Sequence, residues 1–93
     1  MNNDDQVFIK KKKIPWRVID NEAVIVDLMT NNVLQLNETG RHIWEMIDGD
    51  VHVSLIIDSI IEEFDIERDQ AKDDTLTFID TLLEKGLIEH VSS

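Results

Sequence analysis

Near residue 37 the hydrophobic period of this 93-residue chain changes from two to about 3.6. Before that point the apolar residues come in short, β-branched runs separated by turn residues. Trp16-Arg17-Val18-Ile19 follows Pro15 and ends at Asp20-Asn21; residues 23–28 run Ala-Val-Ile-Val-Asp-Leu; Thr30-Asn31-Asn32 precedes Val33-Leu34-Gln35-Leu36. Turns this short predict an antiparallel meander, with Leu34 and Leu36 on one face of its third strand and Val33 and Gln35 on the other.

Beyond residue 37 the spacing is helical. Asn37 is placed to cap a helix in which Gly40, Ile43, Trp44 and Ile47 fall at i, i+3, i+4 and i+7, and Asp48-Gly49-Asp50 ends it. A second helix is predicted over residues 53–64, with Val53, Ile56, Ile57, Ile60, Ile61 and Phe64 on one stripe. A third is predicted over residues 67–85, terminated by Gly86. Residues 87–91 read as a short extended tail. Strands grouped before helices define an α+β fold: a three-stranded antiparallel β-meander, a three-helix winged-helix-like bundle, and a C-terminal extended segment. Length allows one domain, assigned to residues 14–91, with residues 1–13 as a flexible polar and basic leader.

Composition removes several chemistries. Without cysteine there is no disulfide, thiolate nucleophile or iron–sulfur site. No apolar run approaches the roughly 18 residues of a membrane span, and the start Met1-Asn2-Asn3-Asp4-Asp5 is unlike a signal peptide, so a cytoplasmic protein without membrane attachment is expected. No two of His42, His52 and His90 have metal-pair spacing, and Glu62-Glu63 and Asp73-Asp74 point about 100° apart on a helix. The three glycines stand alone, so there is no phosphate loop. Neither enzyme activity nor a cofactor is expected.

Charge is uneven. Residues 1–18 carry five basic side chains, four of them Lys10, Lys11, Lys12 and Lys13, against two acidic ones; the remaining 75 residues carry four against eighteen. Such a body repels nucleic acid, and the lysine run reads as a solvated leader or a charged edge. A winged-helix transcription regulator is the alternative from another class. Its recognition helix would be the third, which instead offers Asp69, Asp73, Asp74, Asp80 and Glu84 outward.

The third helix holds the most informative pattern. With Ala71 at zero and about 100° per residue, its apolar residues extend from Phe78 at about −20° to Leu76 at about 140°. That arc exceeds the stripe of about 100° that one core face requires. One reading completes a small core with Leu76 and Leu83. The other is an apolar groove, rimmed by Asp73 and Asp80 and crossed by the Lys72 stem, beside an open strand edge that accepts an extended peptide.

The strings Glu22-Ala23-Val24-Ile25-Val26-Asp27, Val33-Leu34-Gln35-Leu36-Asn37-Glu38-Thr39-Gly40, Ile43-Trp44 and Ile47-Asp48-Gly49, with Leu82-Leu83-Glu84-Lys85-Gly86-Leu87-Ile88, resemble PqqD-like proteins over residues 14–90. The resemblance implies the fold above and a non-catalytic peptide chaperone, or recognition element, for ribosomally synthesised and modified peptides. It implies that a precursor's leader docks as a strand beside Val33, Leu34, Gln35 and Leu36 and against a helix flank of Lys72, Asp73, Leu76, Ile79, Asp80 and Leu83. The implied partners are that precursor peptide and a modifying enzyme, such as a radical S-adenosylmethionine maturase in PQQ biosynthesis or a leader peptidase in lasso peptide biosynthesis.

Overall fold

The computed structural model describes residues 6–12, 14–27 and 30–91. Its elements run β1 (Val7–Lys10), β2 (Trp16–Ile19), β3 (Glu22–Asp27), β4 (Asn32–Leu36), α1 (Glu38–Met46), β5 (Asp48–His52), α2 (Val53–Phe64), α3 (Arg68–Glu84) and β6 (Ile88–His90). The expected meander is present as the antiparallel sheet β2-β3-β4. Asp20 and Asn21, both at positive φ, form its first two-residue turn, which suits the right-handed twist of a hairpin. Ala23, Ile25, Leu34 and Leu36 share the inner face, and Val33 and Gln35 point outward.

A second antiparallel sheet, β5-β1-β6, departs from the single-meander expectation. Residues 7–10, assigned by sequence to a leader, form its central strand. Phe8 is 3 % exposed, and the Gln6 and Val7 carbonyls accept from the Val53 and Val91 N–H groups. The reason is pairing: β1 bonds to strands roughly 40 and 80 residues later, which no local pattern reveals. Residues 1–5 and 13 of the assigned leader lie outside the described residues.

The bundle differs too. Asp48-Gly49-Asp50, read as a helix stop, opens the strand Asp48–His52, and the extended C-terminal tail is a strand that pairs with β1. Gly49 makes β5 possible: its φ is +92°, and a Cβ there would approach the Ile9 side chain to 3.0 Å.

The helices form where their residues require. The Asn37 side chain accepts from the Gly40 N–H at 2.8 Å, capping α1. A Cβ on Gly40 would lie 3.3 Å from the Leu36 Cβ, so glycine lets α1 sit close on the sheet. Beyond α3, Gly86 N–H donates to the Leu83 carbonyl and Leu87 N–H to the Leu82 carbonyl, which turns the chain sharply into β6. One core joins both sheets to the helices, centred on Trp44, Ile25, Ile43, Ile56, Ile57, Ile60 and Leu82.

Candidate functional site

In the sheet β2-β3-β4, β3 is central and β4 is an edge strand, so one row of its backbone N–H and C=O groups has no strand partner among the described residues. Two recesses bring residues of α3 near the two ends of this strand. At one end Asp74 and Phe78 share a recess of about 350 Å³ with Asn37 and Gly40. At the other, Glu84, Lys85 and Gly86 share a recess of about 600 Å³ with Ile14, Lys11 and Asn32. The first hollow adjoins the Leu36 end of β4, because a Cβ on Gly40 would meet both Leu36 and Phe78, and the second includes Asn32 at the other end; half-buried Leu34 lies on the inner face between them.

The sequence-predicted residues do not all meet there. Leu34 and Leu36 face inward, Val33 is 63 % exposed on the outer face, and Gln35 donates from its amide to Glu22 at 2.8 Å. Leu76, Ile79, Asp80 and Leu83 instead line a recess of about 330 Å³ with Phe8, His90 and Gln6. Lys72 and Asp73 are exposed and absent from both hollows beside β4. Buried Ala71, Thr75 and Leu82 run along α3 between the two flanks. The wide arc is therefore real, but its Phe78 end lies by Asn37 and Gly40 at the Leu36 end of β4, and its Leu76 end lies by Phe8 and His90 of β1 and β6. Helical angles alone do not say which end of the arc lies nearer β4. Phe78 and Ile14, which the sequence does not single out for a peptide site, line the hollows near the two ends of β4; the position of Phe78 at the other limit of the arc is its available signal.

Lys10 links the two sheets. Its Nζ donates to the Ile47 carbonyl at 2.8 Å and sits 5.1 Å and 5.6 Å from the Trp44 and Trp16 ring centres. Burial lowers its pKa below the ordinary lysine value, with Asp48 and then Glu45 acting in the opposite direction. Trp16 packs edge-on against Trp44, leaving its own ring at the rim.

Catalytic geometry has one point to consider. His42 Nε2 lies 2.7 Å from Ser59 Oγ. Ser59 is in mid-helix, where neighbouring N–H groups are committed to helical bonds and offer no oxyanion hole. The pair joins α1 to α2. Among the described residues no three His, Cys, Asp or Glu side chains are grouped to hold a metal ion, and no helix is long and apolar enough to cross a membrane.

Comparisons with known proteins agree with this fold. No curated protein matches the chain. Among solved structures, TbiB1 in complex with the TbiA(beta) leader peptide is similar, with a TM-score of 0.78 and 25 % identity, covering 91 % of this chain and 99 % of that one. The family model for coenzyme PQQ synthesis protein D matches residues 22–88, which includes β3, β4 and all three helices. The chain belongs to the PqqD family.

Proposed function

We propose that this protein is a non-catalytic peptide chaperone that binds the leader of a ribosomally synthesised precursor and presents it to a modifying enzyme. The observation that carries the reading is the open edge of β4 with Phe78 of α3 near its Leu36 end. An extended leader pairs along Val33, Leu34, Gln35 and Leu36 through its backbone, and alternate side chains descend between the strand and α3. Ile14 and Phe78 supply apolar contact at the two ends of that strip. The similar protein TbiB1 is solved with a leader peptide, which supports the same ligand class here.

Binding a leader raises the effective concentration of the attached precursor at an enzyme that the chaperone also holds. A radical S-adenosylmethionine maturase and a leader peptidase both fit as that enzyme, in the cytoplasm where precursors are made. The acidic outward face of α3, with Asp69, Asp73, Asp80 and Glu84 all exposed, disfavours a nucleic-acid ligand. Calorimetric titration with the synthetic leader of the cognate precursor tests the reading. The expected result is saturable one-to-one binding that a scrambled leader of identical composition does not reproduce; equal binding of the two sequences contradicts it.

A further inference from the structure

The flank of α3 turned away from β4 forms a separate surface. Leu76 and Leu83, seven residues apart and half-buried, floor a recess with Ile79 and Phe8, and Asp80 and His90 stand at its rim. Beside them Asp73, Asp80 and Glu84 recur at i, i+7 and i+11, and each is exposed. An apolar pair backed by an acidic ridge complements a segment with an apolar anchor set among Lys or Arg residues. A second copy of this chain is a poor occupant, because it brings the same ridge and a net charge of −11. A helix with its side chains is about 10–12 Å across, so a strand seated on β4 leaves this flank free.

We propose that the Leu76–Leu83 flank docks a basic, apolar-anchored segment of the enzyme that modifies the bound peptide. The proposal rests on the chaperone reading and deepens it, since presentation requires two surfaces that are filled together. One helix would then separate them, with the leader on its Phe78 side and the enzyme on its Leu76 side.

The probe is a synthetic 14-residue helical peptide with Leu at i, i+3 and i+7 and Lys elsewhere, titrated into the full isotope-labelled chain with and without leader. Amide signals of Leu76, Asp80, Leu83 and His90 should move while those of β4 do not. The double variant Asp73→Lys/Asp80→Lys should weaken the probe at least tenfold and change leader affinity less than twofold. A control with the same charge change on α2, Glu62→Lys/Glu63→Lys, should weaken it less than threefold. In producing cells the Asp73→Lys/Asp80→Lys chain should accumulate unmodified precursor. Equal weakening by the control, leader-induced shifts at Leu76 and Leu83, a dimer formed through this flank, or normal modification in cells would each overturn the proposal. Loss of leader binding in the unmutated chain would instead remove the chaperone reading, and the probe titration would remain interpretable without it.

Discussion

Replacing Phe8 with Ala should lower stability by about 3 kcal/mol or more, within the roughly 3–5 kcal/mol that removing a buried phenyl ring costs. Phe8 is 3 % exposed on the central strand of the β5-β1-β6 sheet and belongs to the core shared with the helices. Its ring centre also lies 4.5 Å from that of His90 on the neighbouring strand, the two rings tilted by 44°. A loss of this size is a large fraction of the total stability of a small domain. At roughly 4–8 °C per kcal/mol, the Tm should fall by at least about 12 °C. Deleting residues 1–10 should cost more, because both β5 and β6 lose the strand that joins them. Lys12→Ala, at an exposed position, should stay within about 0.5 kcal/mol of the unmutated chain. Thermal unfolding of the three variants checks this. A neutral Phe8→Ala would mean that residues 7–10 act as a leader and not as a strand.

The second large effect concerns the ligand. Ile14→Asn should reduce leader affinity about tenfold, or about 1.4 kcal/mol. Ile14 lines the larger hollow beside Asn32 and Lys85, where a docked side chain would bury it. Fully burying an isoleucine contributes roughly 1.5–3 kcal/mol, and an amide in its place must shed water without a designed partner. Leu76→Asp, on the opposite flank, should leave leader affinity within twofold. Calorimetry on the two variants, each first shown to unfold cooperatively, separates the flanks. The reverse pattern would return the leader to the Leu76 side of α3.

Much of the fold was legible because its signals are local. Asn37 caps α1 through a bond to an N–H three residues on, α2 spans the predicted residues 53–64, and Gly86 ends α3 through bonds within one turn. The second sheet was not legible. Asp48-Gly49-Asp50 has little strand propensity, and its pairing with β1 comes from tertiary context. Lys10 sits in a run of four lysines that reads as solvated, yet its ammonium bonds to the Ile47 carbonyl and lies by two indole rings. The same hidden strand decides what each flank of α3 packs against. Helical angles give the width of the α3 arc and the three-strand meander gives an open edge, but only the position of β1 tells which end of the arc packs by β1 and β6.

The central claim is strand addition at β4, and amide hydrogen exchange with and without a saturating leader peptide tests it most directly. Edge N–H groups that bond to water in the free protein become ladder donors when a strand is added, so alternate amides within Asn32–Leu36 should slow at least tenfold. The amides of β5 and β6 should exchange unchanged. Protection confined to β6 and the Leu76 flank, with β4 unaltered at saturation, would contradict the account.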